Sequence, residues 1–469
     1  MTQLSQDFLS AAKDILGPKG WSEDPEDLAK VASPWRGTYQ GETPFLAKPE
    51  TTEQTAALVR LCNQHGVAIT PQGGNTGLVD AGTPHGEICI SMQRMTAIRS
   101  VDAVNNSLVI EAGAPLVTAQ QAADDAKRLF PLSLGSEGTA TIGGLISTNA
   151  GGVAVLRYGM MRDLILGLEV VLPTGEIWNG LSGLRKNNTG YDLKHLFAGA
   201  EGTLGIITAA TLKLFPKVQR ASAWVTCESA GDVVTLLALV RDHAGDTVTS
   251  FEIIPANAVA MVQADVPDTR DPLPSDLPWR VLIEVSMSRA EHAREVLEEA
   301  LAAAYEAKLV KDAVIAESVA QADSFWHIRE TIPLSKRGYG TALNQDISVP
   351  VSRIPDFIDS CNAAIKGLIP SAEFVIFGHV GDGNLHYSVC EPADAREHVL
   401  AGQQSAVFRI IYDQVMDFDG SISAEHGVGR LKRDELERIR PKAATETMRA
   451  IKRAIDPNNI MNPQRVIST

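Results

Sequence analysis

Cysteine is scarce in this chain, and its few copies are scattered. The chain has five cysteines, none of them in a CxxC pair: Cys62, Cys89, Cys227, Cys361 and Cys390. An odd number without local pairs argues against a disulfide framework and favours a reducing compartment. The amino-terminal segment lacks the basic start of a signal peptide, and no apolar run reaches the roughly 20 residues of a membrane span. We therefore expect a cytoplasmic protein without a transmembrane segment.

Positive charge is also in short supply. Lys and Arg number 42 against 57 Asp and Glu, so the formal net charge is −15 and the isoelectric point is near 5.2. A protein that binds nucleic acid or a membrane surface would carry a basic stripe, so we expect neither partner. An anionic substrate would need local positive charge or a metal ion. The length of 469 residues is enough for two or three domains.

The common nucleotide-binding motifs are absent, yet glycine is abundant. The chain contains neither GxxxxGK[ST] nor GxGxxG, which argues against a P-loop and against a Rossmann site. Glycine, serine and threonine instead cluster in residues 71–82 and 131–152. Backbone N–H groups without a neighbouring Cβ can wrap a phosphate. These segments therefore favour a dinucleotide pyrophosphate site, although each glycine alone fits a tight turn between strands.

Residues 44–70 predict a β-α-β unit. Thr51 or Thr52 can cap a helix that Gly66 ends. The short strand VAIT that follows leads directly into the first glycine-rich segment, 71–82. This places that segment at the end of a strand.

Residues 374–390, FVIFGHVGDGNLHYSVC, predict a β-hairpin with Asp382-Gly383 as a two-residue type I′ turn. That turn would put His379 directly across from His386, with their Cβ atoms roughly 4.5–5.5 Å apart. Two imidazoles at this spacing can converge on a metal ion. The alternative is two ordinary histidines beside a surface turn.

Four segments together carry a resemblance to a known family: PQGGNTGLVDAG, LGSEGTATIGGLISTNAGG, LRYGMMRDLILGLEVVLPTGE and HLFAGAEGTLGIIT. They resemble the FAD-binding domain of the vanillyl-alcohol oxidase/p-cresol methylhydroxylase superfamily. GHVGDGNLH, SAEHGVG and DPNNIMNP resemble its D-2-hydroxyacid dehydrogenase branch, which includes D-lactate and D-2-hydroxyglutarate dehydrogenases. The resemblance covers residues 37–466.

The resemblance implies an α+β fold with a two-subdomain FAD-binding domain and a cap domain. The cap would consist of an antiparallel sheet flanked by helices. The corresponding boundaries are 1–218 for the FAD-binding domain, 219–421 for the substrate or cap domain, and 422–469 for a segment that returns to the FAD domain.

The FAD-binding residues that the resemblance implies are mostly small or neutral. Because residues 71–82 contain no His or Cys that could tether the flavin, we expect non-covalent FAD. Asp80 should point away from the phosphates. The implied FAD-binding residues are Pro71, Gly73, Gly74, Asn75, Thr76, Gly77, Leu78, Leu134, Gly135, Ser136, Gly138, Thr139, Thr141, Ile142, Gly143, Gly144, Asn149, Gly151, Gly152, Glu201, Gly202, Gly205, Ile206 and Asn462.

By the same resemblance, His379, His386 and Glu425 are ligands of a divalent, zinc-like ion. In an extended segment, neighbouring side chains point to opposite sides, so His426 would face the substrate hydroxyl as a base while Glu425 holds metal. Arg329 matches the arginine that binds the substrate α-carboxylate. The alternatives are a solvated glutamate at 425, a surface arginine at 329, and a purely structural metal that staples the cap.

The implied activity is FAD-dependent oxidation of a D-2-hydroxyacid, either D-2-hydroxyglutarate or a D-lactate-like acid. In 2-hydroxyglutarate enzymes a threonine, a lysine and an asparagine meet the distal carboxylate, and these positions hold Pro333, Asn344 and Ser388 here. A second carboxylate should therefore bind poorly, because a buried charge needs a partner. Replacement of the missing lysine by Lys336 or Arg337 stays open, because spacing cannot show it.

The electron acceptor also stays open between an electron-transfer flavoprotein, a quinone and a cytochrome, and the chain could form a homodimer. Two rival functions remain at this point. One is an oxidase of the same fold that reduces O₂, and the other is a non-catalytic FAD subunit of an electron-transfer complex. The presence of His379, His386, Glu425 and His426 argues against the second rival.

Overall fold

The chain forms two compact units. A computed structural model describes residues 4–34, 39–336, 342–392 and 399–469. Unit 1 comprises Met1–Gly152, Gly159–Lys217 and Glu425–Thr469, and unit 2 comprises Val153–Tyr158 and Val218–Ala424. None of the described helices combines the length and the apolar character that crossing a membrane requires.

Helices and strands are interspersed along the chain. The helices are α1 (Gln6–Leu16), α2 (Pro25–Ala32), α3 (Thr52–His65), α4 (Leu116–Asp125), α5 (Ile142–Thr148), α6 (Val155–Tyr158), α7 (Lys194–Phe197), α8 (Ala230–Ala244), α9 (Ala256–Asp265), α10 (Ala290–Glu306), α11 (Val319–Ser335), α12 (Ile354–Leu368), α13 (Val399–Asp417), α14 (Arg433–Ile439) and α15 (Lys442–Ile455). The strands are β1 (Trp21–Ser22), β2 (Leu46–Ala47), β3 (Ile69–Gln72), β4 (Ile88–Ser91), β5 (Ile98–Asp102), β6 (Ser107–Glu111), β7 (Arg128–Leu129), β8 (Ile165–Val171), β9 (Ile177–Asn179), β10 (Ile206–Lys213), β11 (Phe215–Pro216), β12 (Gln219–Cys227), β13 (Val248–Pro255), β14 (Trp279–Met287), β15 (Asp312–Ile315), β16 (Ala342–Ser348), β17 (Glu373–His379) and β18 (Asn384–Cys390).

Unit 1 contains two larger sheets. The first has the order β1-β2-β4-β3, and its β2–β4 and β3–β4 pairs are parallel. The second has the order β5-β6-β10-β8-β9 and is antiparallel throughout. Within the first sheet, the predicted β-α-β unit is confirmed. Thr51 caps α3 by accepting a hydrogen bond from the Gln54 N–H at 3.1 Å, and Gly66 ends the helix.

The carboxyl-terminal segment of unit 1 lies beside β3. The Ile69 N–H donates to the Ile460 carbonyl at 2.8 Å, and the Asn462 N–H donates to the Ile69 carbonyl at 2.8 Å. Ile460 and Met461 are buried in the same apolar cluster as Phe8 and Leu58. The last residues of the chain are therefore part of the core of unit 1.

Unit 2 is built on a seven-stranded antiparallel sheet with the order β15-β12-β14-β13-β17-β18-β16. Helices α9 and α11 pack on it through a cluster that includes Trp224, Ile254, Phe325 and Phe377. Strand β13 is buried along its whole length. A charged side chain on such a strand needs a partner inside the protein.

Candidate functional site

The two glycine-rich segments of unit 1 contact each other. A Cβ built at Gly74 would lie 1.8 Å from the Thr139 carbonyl oxygen, and one built at Gly73 would lie 2.2 Å from Thr141 Oγ1. Only glycine therefore allows this approach. By contrast, a Cβ built at Gly77, Gly135 or Gly138 would meet no described atom within 4 Å. Close contact on one side and open space on the other suit a backbone that receives a phosphate.

Asp80 and Asn462 lie around the first glycine-rich segment. The Asp80 carboxylate is buried and lies 2.8 Å from His85 Nε2, which gives this charge a partner inside unit 1. Asn462 Nδ2 donates to the carbonyls of Ala81 at 2.9 Å and Glu201 at 2.7 Å. Its buried Oδ1 has no hydrogen-bond partner among the described residues. Asn462 therefore links its own segment to two others that the resemblance assigns to FAD, and it carries a polar atom that a cofactor could satisfy.

Glu201 fixes the backbone that follows Glu425 and His426. Its two carboxylate oxygens accept hydrogen bonds from the N–H groups of Val428 and Gly429, each at 2.7 Å. Burial raises the pKa of the Glu201 carboxyl to about 7, although these two hydrogen bonds and the charge of Lys432 oppose the rise. The resemblance assigned Glu201 to FAD, but its hydrogen bond to the SAEHGVG segment was not predicted.

Glu425 lies against the second glycine-rich segment. A Cβ built at Gly151 would be 2.7 Å from Glu425 Oε1, so unit 1 brings this carboxylate to residues that the resemblance assigns to FAD. Glu425 and His426 are both partly exposed. Their roles as metal ligand and base stay predictions.

The two histidines of unit 2 lie close together, but the predicted hairpin register is wrong. Phe377, not His379, is the partner of His386 across β17 and β18. Val380–Asp382 form a 3₁₀ turn that Gly383 ends with φ of +88°, so the loop is longer than a type I′ turn. Because the register is displaced by two residues, both imidazoles keep the same face of the sheet. Their ring centroids are 5.5 Å apart.

Glu252 is a buried carboxylate that the sequence analysis missed. It lies on β13 opposite His379 on β17. Its Oε1 is 2.5 Å from His379 Nδ1, and its Oε2 accepts a hydrogen bond from Arg329 Nε at 2.7 Å. Burial alone would raise the pKa of the Glu252 carboxyl, but the charges and hydrogen bonds of His379 and Arg329 outweigh burial and lower it to about 2. The signal in the sequence was a single acid inside the apolar run FEIIP.

The arrangement suits a metal-binding imidazole. Glu252 Oε1 can accept the His379 Nδ1 proton, and the other ring nitrogen of His379, Nε2, lies 3.4 Å from Arg329 Nη2. Metal-binding histidines usually donate their other ring N–H to a carboxylate or carbonyl in this way. Asp346 is the cross-strand partner of His386, and its Oδ1 lies 3.8 Å from His386 Nδ1. Asn384 Nδ2 donates to the same Asp346 oxygen at 2.8 Å, so Asn384 orients this acid.

The predicted substrate residue Arg329 and the neighbouring Lys336 lie over one aromatic ring. The Arg329 guanidinium stands over Phe377, 4.8 Å from the ring centroid. Asn344 and Ser388 are cross-strand partners, and both bind the ammonium of Lys336. Pro333 lies inside α11, whereas Arg337 lies outside the described residues.

Profiles of two protein families match the chain. The FAD binding domain matches residues 43–180, and the C-terminal domain of FAD linked oxidases matches residues 216–466. D-2-hydroxyglutarate dehydrogenase of Stutzerimonas stutzeri is 35% identical over 465 residues, which cover 98% of this chain and 99% of that protein. The mitochondrial D-2-hydroxyglutarate dehydrogenase of Arabidopsis thaliana is 35% identical over 468 residues, covering 99% of this chain and 82% of that protein.

The fold also matches solved structures. A substrate-bound crystal structure of p-cresol methylhydroxylase superposes with a TM-score of 0.77 at 17% identity, covering 99% of this chain and 98% of that chain. This likeness confirms the predicted α+β architecture of an FAD-binding domain with a cap. The chain belongs to the FAD-linked oxidases and, among them, to the FAD-dependent D-2-hydroxyacid dehydrogenases.

Proposed function

We propose that the chain oxidises a D-2-hydroxyacid to the 2-oxoacid with non-covalent FAD as hydride acceptor, a divalent metal ion that activates the substrate hydroxyl, and His426 as base. The observation that carries the proposal is the buried set of Glu252, His379 and Arg329 in a chain of this family. It combines an imidazole prepared for a metal ion with a guanidinium suited to a carboxylate.

In this proposal the glycine-rich segments bind FAD. They present backbone N–H groups to it rather than side-chain cations. The proposed metal ligands are His379, His386 and Glu425, a set of two imidazoles and one carboxylate that suits zinc and leaves positions open for substrate. When bound, the flavin accepts a hydride equivalent from the substrate Cα, and the metal ion lowers the pKa of the neighbouring hydroxyl.

Each protein residue then has a separate task. Arg329 binds the substrate α-carboxylate, because its planar guanidinium pairs with carboxylates in a bidentate manner. Glu252 anchors Arg329 through Nε and holds the His379 proton on Nδ1. His426 takes the proton from the substrate hydroxyl oxygen, as a neutral imidazole can do near pH 7.

Anaerobic flavin bleaching with D- and L-2-hydroxyacids tests this function. We expect D enantiomers to bleach the flavin of the holoenzyme and L enantiomers not to. His426→Ala should keep the oxidised flavin spectrum and lose bleaching, and a chelator should slow bleaching without releasing flavin. An active His426→Ala variant would exclude this residue as the base. Bleaching at an unchanged rate after metal removal would make the metal structural, and steady-state production of peroxide would indicate an oxidase.

The electron acceptor is proposed from chemistry alone. Reduced flavin must pass its electrons to an electron-transfer flavoprotein, a quinone or a cytochrome. Reoxidation of the bleached enzyme by each class of acceptor distinguishes them.

A further inference from the structure

Arg329 and Lys336 occupy one face of the end of α11. They are seven residues apart, which is about two helical turns and a rise of about 10 Å. Helical backbone continues through Lys336, whose φ and ψ are −59° and −18°. The Lys336 ammonium lies 5.0 Å from the centroid of the Phe377 ring, and the Arg329 guanidinium lies 4.8 Å from the same centroid. Two cations of one helix thus meet at a single aromatic ring.

Two strands set the direction of the Lys336 side chain. Its Nζ donates to Ser388 Oγ at 2.7 Å and to Asn344 Oδ1 at 2.8 Å. Ser388 is buried, whereas Asn344 is exposed. Lys336 is itself buried, and its ammonium therefore lies between the interior of unit 2 and an exposed side chain.

Strand β18, which carries Ser388, also carries a proposed metal ligand. Ser388 and His386 are two residues apart on β18, so their side chains lie on one face of the sheet. Phe377 is the cross-strand partner of His386, and their ring centroids are 5.0 Å apart. Lys336 thus lies on the same face of the sheet as His386. Arg329 lies on this face as well, because it stands over Phe377.

We propose that Lys336 is a specificity-determining residue that binds the second carboxylate of a dicarboxylic D-2-hydroxyacid while Arg329 binds the first. This inference rests on the proposed function. A lysine ammonium is a compact, strongly hydrated charge that pairs with a carboxylate without demanding a planar geometry. A second carboxylate is expected to bind poorly only if Asn344 and Ser388 count as lost contacts. In the structure both of these side chains hold a lysine that comes from α11.

The experiment compares holoenzyme variants by anaerobic flavin reduction. The probes are D-2-hydroxyglutarate, D-malate, D-lactate and D-2-hydroxyvalerate, the last being a five-carbon acid without a second charge. We expect the wild type to favour the dicarboxylates. Lys336→Met should lower the ratio of kcat/KM for D-2-hydroxyglutarate to that for D-2-hydroxyvalerate by about 10- to 100-fold, as expected for losing a charge-assisted hydrogen bond. Lys336→Arg should restore much of this ratio.

Lys366→Met is the matched control, because Lys366 is an exposed lysine of unit 2 that also lies near an aromatic ring, 5.8 Å from the Phe374 centroid. It should leave the substrate ratio unchanged. If Lys336→Met slows all four acids equally, or if the wild type prefers the monocarboxylates, the inference about Lys336 is wrong and the proposed function stands. If no D-2-hydroxyacid reduces the wild-type flavin, both fall.

Discussion

His379 Nδ1 and Glu252 Oε1 lie 2.5 Å apart on adjacent strands of the sheet of unit 2. Glu252 is fully buried, and its other oxygen is held by Arg329. One carboxylate therefore sets both the orientation of a proposed metal ligand and the position of a proposed substrate cation. Changes at Glu252 should affect metal binding and substrate binding together.

Glu252→Gln tests this double role. The amide keeps the shape of the side chain but removes the charge that stabilises Arg329 and the His379 tautomer. We expect metal affinity to fall by about 10- to 100-fold, as for other lost partners of metal-binding histidines, and KM for the hydroxyacid to rise. Metal content after dialysis and steady-state kinetics measure the two effects. Glu373→Gln, at an exposed residue of β17, is the control, and equal metal content in both variants would contradict the role of Glu252.

Glu201 should make the free energy of unfolding depend on pH. Its pKa is raised by burial from 4.5 to about 7, so the unfolded state ionises before the folded state does. The contribution of this residue to the free energy of unfolding is therefore fully present below about pH 4.5 and is lost as pH rises to about 7. The loss should be on the order of 3 kcal/mol.

The matched variant for this prediction is Glu201→Gln, which cannot ionise. We expect the wild type to lose free energy of unfolding relative to Glu201→Gln as the pH rises from about 4.5 to 7. Urea denaturation across that range measures it. A difference that stays flat would show that Glu201 does not change its pKa on folding.

The sequence predicted much of unit 1, because local signals decide it. Thr51 and Gly66 delimit α3 as expected, since a cap and a terminating glycine act within a few residues. The convergence of His379 and His386 was also predicted, but their register was wrong by two residues. A 3₁₀ turn at Val380–Asp382 replaced the tighter turn, and dipeptide signals do not distinguish the two.

The contacts that could not be predicted from the sequence join distant parts of the chain. Glu252 and His379 are 127 positions apart, and Glu201 is 227 positions from Val428. Neither the periodicity of apolar residues nor the spacing of motifs in the sequence indicates such pairs. Lys336 was recognised only as a candidate, because its binding to Ser388 depends on how α11 packs against β18.

Gly429 should tolerate no side chain. Its φ is +53°, and a Cβ there would lie 1.9 Å from the Val79 carbonyl oxygen, which accepts a hydrogen bond from the Arg430 N–H at 2.9 Å. Gly429→Ala should lower the free energy of unfolding by more than the roughly 1–2 kcal/mol of the left-handed conformation alone. Gly402→Ala, at an exposed position in the first turn of α13 with open space around it, should instead be neutral or stabilising by up to about 1 kcal/mol. Thermal unfolding of the two variants tests the contrast, and an equal Tm would refute it.

Lys452 holds the returning carboxyl-terminal segment. Its buried ammonium donates to the carbonyls of Thr203 at 2.9 Å and Met461 at 2.7 Å, and it pairs with buried Asp456 at 2.5 Å. Lys452→Met would leave the Asp456 charge buried without its cation, which typically costs about 3–5 kcal/mol. Because Met461 precedes Asn462, we expect weaker flavin retention as well as lower stability.

Flavin fluorescence after gel filtration and urea unfolding measure both effects. Arg453→Met, at an exposed neighbour on α15, is the control, and a Lys452→Met protein as stable as this control would show that the pair does not hold the segment.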